Sequence, residues 1–156
     1  MKKEKAARTI PKGFQTVTPY LIIPGADRLI EFIKNAFGGE VTFMNRDEEN
    51  QISHATVKVG NSTIMISDSM NEMKPETGML FLYVDDVDAT YNKAIQAKAQ
   101  SIQEPKDEFY GDRVSAVKDE WDNKWWIATH VEDVDKEELE KRAKQARKEK
   151  AEAMAH

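Results

Sequence analysis

The chain has 156 residues, of which 40% are hydrophobic and 33% charged, and its formal net charge at pH 7 is −5. This length fits one domain or two small ones, and the composition predicts a folded chain. The absence of cysteine excludes a disulfide framework, a thiolate metal site and a cysteine nucleophile. No apolar run approaches the roughly 20 residues of a membrane span, so we expect a cytoplasmic protein with no membrane partner.

The charge is unevenly distributed along the chain. Residues 1–12 contain five basic and one acidic side chain and lack the apolar core of a secretory signal, which predicts a basic, flexible arm. Residues 13–132 carry most of the negative charge. Because an acidic body repels a phosphate backbone, we expect no nucleic-acid partner.

The first structured segment is a strand followed by a helix. Thr16–Ile23 is rich in β-formers, Pro24 and Gly25 interrupt it, and Ala26–Phe37 has apolar residues at helical spacing, ending at Gly38. A meander of three strands is predicted next, with Gly60 and Asn61 as the turn before its last strand. Its strands are Val41–Met44, His54–Val59 and Ser62–Ser67.

The same order of elements follows a second time. Met79–Val84 predicts a strand and Val87–Ala99 a helix, and Asp88 stands 61 residues after Asp27 at the matching helix start. The strands of the second meander are predicted at Ser101–Glu104, Ser115–Lys118 and Lys124–Thr129, with Asp119–Asn123 as the last turn. When the offset of 61 is applied to the rest of the chain, Gly60 aligns with Trp121 and Met65 aligns with Trp126.

These elements predict an α+β fold of two βαβββ modules, about residues 15–69 and 79–130, in one domain spanning residues 13–132. A helix covers one face of each sheet, so the other faces should form a cupped mixed sheet with a ligand site in the cup. Residues 133–156 predict a charged C-terminal helix with a thin apolar stripe. That helix is either a solvated appendage or a packing element in a dimer.

Five segments resemble the vicinal oxygen chelate superfamily of glyoxalases, bleomycin-resistance proteins and extradiol dioxygenases, and in particular its PhnB-like branch. They are Thr16–Ile23, Ser53–Ala55, Leu82–Asp88, Phe109–Arg113 and Trp126–His130. The branch usually has a Pro-Phe-Gly-His turn before its last strand, whereas this chain has Glu120–Asn123 there. The resemblance implies paired modules and a homodimer, and the changed turn weakens the transfer of any branch activity.

The resemblance also implies where a metal would bind. Metal-dependent members place one ligand on the first and one on the last strand of each module, and these positions correspond here to Thr18, Met65, Met79 and Trp126. None of the four provides the imidazole, carboxylate or thiolate donor that a divalent transition metal requires. We therefore expect no metal and no cofactor.

Alternation along the strands predicts which side chains face the cup. His54 and Thr56 should face it, as should Trp126 with Ala128 and His130, and the series Arg113, Ser115 and Val117. The candidate ligand-binding residues are Tyr20, His54, Met65, Phe81, Tyr110, Arg113 and Trp126. Taken singly, each aromatic or methionine in this set has core filling as its alternative role.

Two of these residues could perform chemistry. Arg113 in the cup must meet an anionic ligand or an acidic side chain, because its charge is costly to bury alone; the alternative is a salt bridge at the rim. His54 is the candidate general base, or else a core histidine bonded to the hydroxyl of Thr63 or Ser115. Phe109 and Tyr110 can form a lid over the opening, with Gly111 allowing the backbone to turn.

We therefore interpret the chain as a metal-free small-molecule-binding protein of the glyoxalase/bleomycin-resistance type, binding a polar or anionic, aromatic ligand in the cup. The alternative is an enzyme of the superfamily, a lyase, isomerase or dioxygenase, that depends on a metal or uses His54 as base. A further alternative is an interaction protein that docks through its C-terminal helix.

Overall fold

The computed structural model describes residues 4–155, which divide into two compact units between Gly78 and Met79. Each unit has the predicted βαβββ order, and a third helix follows the second module. Residues 4–12 of the predicted arm are exposed and form no helix or strand, whereas residues 1–3 and 156 lie outside the described residues. None of the helices in the described part has the length and apolar character needed to cross a bilayer.

The first module is a four-stranded mixed sheet with one helix. Its elements are β1 (Tyr20–Ile23), α1 (Ala26–Phe37), β2 (Glu40–Arg46), β3 (Ile52–Val59) and β4 (Ser62–Asp68). The strand order is β1-β4-β3-β2, with β1 parallel to β4 and the other pairs antiparallel. The first strand begins later than predicted, because the Gln15 side-chain amide, rather than a backbone group, bonds both the N–H and the C=O of Thr63.

The second module repeats this arrangement. Its elements are β5 (Met79–Tyr83), α2 (Val87–Gln96), β6 (Gln100–Asp107), β7 (Asp112–Lys118) and β8 (Lys124–His130), followed by α3 (Lys136–Met154). The strand order β5-β8-β7-β6 matches the first sheet. Helix α2 ends earlier than predicted, since Lys98 has a left-handed φ of 80°. No described residue of α3 is buried.

Equivalent side chains at the end of each sheet's last strand hold the start of its helix. In the first module the Asp68 carboxylate accepts hydrogen bonds from the backbone N–H groups of Gly25 and Ala26 at 3.0 and 2.8 Å. In the second, 61 residues later, the Thr129 hydroxyl accepts from the N–H of Val87 at 2.9 Å. Helix N-termini need such acceptors because their first N–H groups have no partner within the helix. The repeat therefore extends to the capping interactions.

The repeat fails at the last turn, and this failure changes one prediction. In the first module Val59 pairs with Ser62 across the two-residue turn. In the second, the N–H of Asp119 bonds the carbonyl of Asn123 and encloses the three residues 120–122. Residues of β8 consequently stand 61 positions after their counterparts in β4, whereas residues of β7 stand 60 positions after their counterparts in β3.

The pairing register confirms the shift. Met65 lies beside Thr56, whereas its counterpart Trp126 lies beside Ala116. A shift of one residue sends every side chain of a strand to the other face. The predicted facing of Arg113, Ser115 and Val117 towards the cup is therefore wrong, and all three lie on the helix side.

The core of each module lies between its helix and one face of its sheet. In the first, the helix side has the fully buried side chains Ile33 of α1 with Val57 and Ile66 of the sheet. In the second, Trp125, Ile127 and Val117 have the same role against α2. We call the opposite face of each sheet its helix-free face.

Candidate functional site

Tyr20, His54 and Met65 come together on the helix-free face of the first module. Tyr20 on β1 pairs with Met65 on β4, and the Tyr20 ring stacks on the His54 imidazole with centroids 5.7 Å apart and planes inclined by 19°. Phe43 on β2 lies 6.2 Å from the same imidazole. These side chains provide a flat aromatic surface with an imidazole at its centre.

His54 has no orienting group of the kind that a general base uses. Among residues 4–155 its contacts are with aromatic rings, and neither of its ring nitrogens has a hydrogen bond. The expected hydroxyl partners are engaged elsewhere: Thr63 donates to the carbonyl of Gly13 at 2.6 Å, and Ser115 donates to the carbonyl of Ile127 at 3.3 Å. The alternative of a core histidine bonded to either hydroxyl is therefore wrong.

Phe81 and Trp126 come together on the helix-free face of the second module. They are direct neighbours in the parallel β5–β8 pair, and the Phe81 ring lies 5.2 Å from that of Tyr83. Phe81 is half exposed. The indole Nε1 of Trp126 is buried and is the one such side-chain atom in the described residues without a hydrogen-bond partner.

Arg113 does not join these residues. Its guanidinium donates two hydrogen bonds to the carboxylate of Asp88 on α2, from Nε at 2.8 Å and from Nη2 at 3.0 Å. It also donates from Nη1 to Asp107 at 3.4 Å. The bond to Asp88 raises the pKa of Arg113, and the same pair lowers the pKa of the Asp88 carboxyl. Arg113 thus forms a salt bridge instead of facing the cup, and this bridge lies on the helix side of the sheet and not at the rim of the cup.

Tyr110 lies in the loop before β7. The loop is closed by a hydrogen bond from the N–H of Gly111 to the carbonyl of Glu108, and Tyr110 packs edge to face on Phe109 with centroids 5.3 Å apart. Gly111 has a φ of 98°, and a Cβ there would overlap the Glu132 carbonyl oxygen. Burial, followed by the charges of Glu108 and Asp112, raises the pKa of Tyr110.

A polar cluster that the sequence did not predict lies on the helix-free face of the second module. The buried Asp112 carboxylate accepts a hydrogen bond from the Tyr83 hydroxyl at 2.8 Å and lies 2.8 Å from Nδ1 of His130. The Nε2 of His130 lies 2.7 Å from the fully exposed Asp133. The bonds to Asp112 and then Asp133 raise the pKa of His130. Because the predicted alternation puts Arg113 towards the cup, it puts its neighbour Asp112 on the opposite face, and only the corrected register of β7 brings Asp112 to His130.

The positions at which the superfamily binds metal do not fit a metal here. Met65 and Trp126 lie centrally on their sheets, each beside an aromatic residue of the parallel first strand, and the hydroxyl of Thr18 donates to the carbonyl of Gln15. Thioethers and an indole are not ligands for zinc, nickel or iron(II) of this type. Within residues 4–155, no group of three or more histidine, aspartate or glutamate side chains is placed to hold a metal ion.

The fold agrees with a family comparison. Residues 14–127 match the model of the Glyoxalase/Bleomycin resistance protein/Dioxygenase superfamily. The chain belongs to this superfamily. A relative in Mycobacterium bovis, itself uncharacterized, is 24% identical over 135 residues, which are 80% of this chain and 89% of the relative.

Two solved structures show the same fold. TioX from a Micromonospora species has a TM-score of 0.65 at 20% identity, covering 75% of this chain and 99% of that one. The PhnB protein of Bacillus cereus has a TM-score of 0.57 at 18% identity, covering 74% of this chain and 99% of that one. The predicted family is thus confirmed, and the structural likeness extends to a PhnB protein.

Proposed function

We propose that this superfamily member is a metal-free binding protein for a small, polar, aromatic molecule, which it holds on its helix-free sheet faces. The observation that supports the proposal most is the replacement of the superfamily's metal-ligand positions by Thr18, Met65, Met79 and Trp126. Aromatic and thioether side chains suit a planar apolar ligand. The same side chains are unsuited to a divalent cation.

The contacts on the first module suggest how such a ligand would be oriented. The stacked Tyr20 and His54 provide an aromatic surface, and the imidazole nitrogens of His54 have no hydrogen-bond partner in the described residues. Ligand sites typically combine apolar walls with a few polar groups that fix orientation. Because Arg113 is already paired with Asp88, we assign the orienting role to His54 rather than to Arg113.

A thermal-shift screen tests the proposal directly. Aromatic acids, phosphonates, glycopeptide drugs and divalent metals would each be added to the purified protein, because a ligand of the folded state raises the unfolding temperature with its concentration. We expect stabilisation by an aromatic compound and none by a metal. Elemental analysis that finds stoichiometric zinc, nickel or iron after gentle purification would contradict the metal-free assignment.

Matched variants then locate the site of any compound that stabilises the protein. Phe81→Ala on the helix-free face should weaken binding by about tenfold or more. Ile102→Ala, at a residue of the edge strand β6 with similar exposure, 45% against 49%, should not. Tyr20→Phe and Tyr91→Phe form a second pair. Tyr20 stacks on His54, so its variant should weaken binding, whereas the Tyr91 hydroxyl bonds Ser101 and its variant should not. Equal affinities within both pairs would show that the ligand binds elsewhere.

The enzyme alternatives receive less support. A metal-dependent lyase, isomerase or dioxygenase lacks the donor set at the four positions, and His54 as base has no orienting partner among residues 4–155. The homodimer, the cytoplasmic location and the lid role of Tyr110 stay predictions.

A further inference from the structure

The cluster around His130 has the geometry of an oriented base. His130 and Asp112 are cross-strand partners at the end of the β7–β8 pair, and the distance from Nδ1 to the carboxylate is 2.8 Å. Asp112 is 3% exposed and is also held by the Tyr83 hydroxyl. A buried carboxylate fixed on one side by a tyrosine has little freedom to leave its imidazole partner.

The two carboxylates that flank the imidazole differ in mobility. Asp133 at Nε2 lies after β8 with a fully exposed side chain, whereas Asp112 at Nδ1 is buried. When the imidazole has only one proton, that proton is best placed on Nδ1, because the Asp112 oxygen that faces Nδ1 belongs to a buried carboxylate and cannot turn to water, whereas the exposed Asp133 can. The lone pair is then on Nε2, in a side chain that is half exposed.

We propose that His130 is a general base, oriented by Asp112 and Tyr83, that acts on a small aromatic carbonyl compound or ester bound against Phe81. The proposal rests on the binding face inferred above. Phe81 and Tyr83 provide the aromatic wall on the same face, with their ring centroids 5.2 Å apart. Tyr83 is a positioning residue here, since its hydroxyl contacts Asp112 and not the imidazole.

The electrostatic surroundings of His130 favour uptake of a proton. Asp112 on β7 and Asp133 after β8 face the ring directly. Tyr83 on β5 is hydrogen-bonded to Asp112, and Tyr110 in the loop before β7 is close enough for the charge of Asp112 to raise its pKa. Negative charge next to an imidazole stabilises the imidazolium that forms on proton abstraction. The base should therefore become active only above the ordinary titration range of histidine.

Hydrolysis of 4-nitrophenyl acetate tests the proposal with a defined aromatic ester. Nε2 of His130 takes a proton from water, whose oxygen attacks the acyl carbon, and the bond between the acyl carbon and the phenolic oxygen breaks. 4-Nitrophenolate leaves with the electron pair of that bond, the acetic acid formed loses its proton to solvent as acetate, and the imidazolium returns the proton it took from water. The measurement is the release of 4-nitrophenolate by the full-length protein as a function of pH.

We expect the rate to rise with pH around a midpoint above the usual value for histidine. His130→Gln should lower kcat on the order of 10²-fold, and the control variant Asp47→Asn, in an exposed loop of the first module, should not. Asp112→Asn should move the midpoint to lower pH, whereas Tyr83→Phe, which removes a donor from the Asp112 carboxylate and leaves its charge less neutralised, should move it to higher pH by less. Asp133→Ala, at a fully exposed position, should keep the activity and increase the rate near neutral pH.

Three results would overturn the proposal: a His130→Gln rate equal to that of the unchanged protein, a loss of activity in Asp133→Ala, or an acetyl group that accumulates on His130, which would make the imidazole a nucleophile. The binding proposal fails separately. If the helix-free face does not bind the ester, the rate stays linear in ester concentration and Phe81→Ala leaves it unchanged, although dependence on His130 remains.

Discussion

Two adjacent tryptophans on β8 have opposite surroundings. The Nε1 of Trp125 donates to the buried Asp119 carboxylate at 2.9 Å, whereas the Nε1 of Trp126 is buried without a partner. A hydrogen bond to a buried charged group contributes more to stability than an average one, and a buried unpaired donor only costs free energy. The neighbouring residues therefore differ in what their indole nitrogens contribute.

Substitution by phenylalanine should separate the two residues. Trp125→Phe leaves Asp119 with one donor fewer, and we expect it to lower the free energy of unfolding by at least about 1.5 kcal/mol more than Trp126→Phe does. The difference combines the lost bond to Asp119, the larger cavity left at the fully buried Trp125 and the removal of an unpaired donor at Trp126. Urea unfolding measures it, and equal losses would show that the bond to Asp119 contributes nothing.

The His130 pair predicts a specific dependence of stability on pH. Its pKa is raised in the folded state, chiefly by the bond to Asp112, so the stabilisation is complete below the unfolded value of about 6.5. It is lost as the pH rises through the folded pKa. The stability difference between the unchanged protein and His130→Gln should therefore be larger at about pH 6 than at pH 9.

Thermal unfolding across that range measures the difference. In an Asp112→Asn background the main cause of the raised pKa is absent and only Asp133 remains, so the effect of His130→Gln should depend less on pH. A difference that grows with increasing pH would contradict the assigned contacts.

At the scale of elements, Asp68 joins three parts of the first module. Besides the two N–H groups at the start of α1, its carboxylate accepts a hydrogen bond from the N–H of Ile52 at 2.7 Å, where β3 begins. The residue is buried. One side chain at the end of β4 therefore positions both the helix and the neighbouring strand.

Asp68→Ala should destabilise the protein strongly. Three backbone donors lose their acceptor in a buried place, and we expect a loss of about 2–4 kcal/mol in the free energy of unfolding. Asp47→Ala is the matched control, because Asp47 also accepts two backbone hydrogen bonds but in an exposed loop. Water can replace that carboxylate, so its loss should stay within about 1 kcal/mol.

The order of elements could be predicted from the sequence, whereas the facing of one strand could not. Helix α1 has both of its predicted ends, because its apolar spacing and Gly38 are local signals. The facing of β7 depends on whether the last turn holds two or three residues. Asp119 decides this by accepting bonds from the N–H groups of Trp121 and Asn123, a network that the residue types alone do not specify.

The one-residue shift in the register of β7 also determines which of the predicted site residues lie together. Tyr20, His54 and Met65 lie on strands whose register the repeat gives correctly, and the structure brings them together. Arg113 lies on the misassigned strand and pairs with Asp88 instead. The buried partner of His130 was missed for the same reason. Aligning the two repeats with an offset of 60 for β6 and β7 and of 61 for the other elements would have revealed both.

At the scale of the whole molecule, the last helix is attached mainly through one arginine. Arg142 of α3 bonds Glu132 through two nitrogens at 2.9 and 2.8 Å, Glu138 at 3.0 Å and the carbonyl of Phe109 at 3.3 Å. The helix itself has no buried residue. Because packed apolar area provides most of the stability of a helix in a protein, α3 adds little to the fold of the second module.

A chain that ends after Val134 tests this assignment and the predicted homodimer together. It retains Asp133 and every strand, so we expect its unfolding temperature to stay within about 4 °C of that of the full chain. Sedimentation velocity of both chains gives the oligomeric state. If the full chain is a dimer and the shortened chain is too, the dimer forms through the modules and α3 is a solvated appendage. Dissociation on shortening would instead assign the dimer contact to α3, and Arg142→Ala would then separate the loss of its anchoring from the loss of the whole helix.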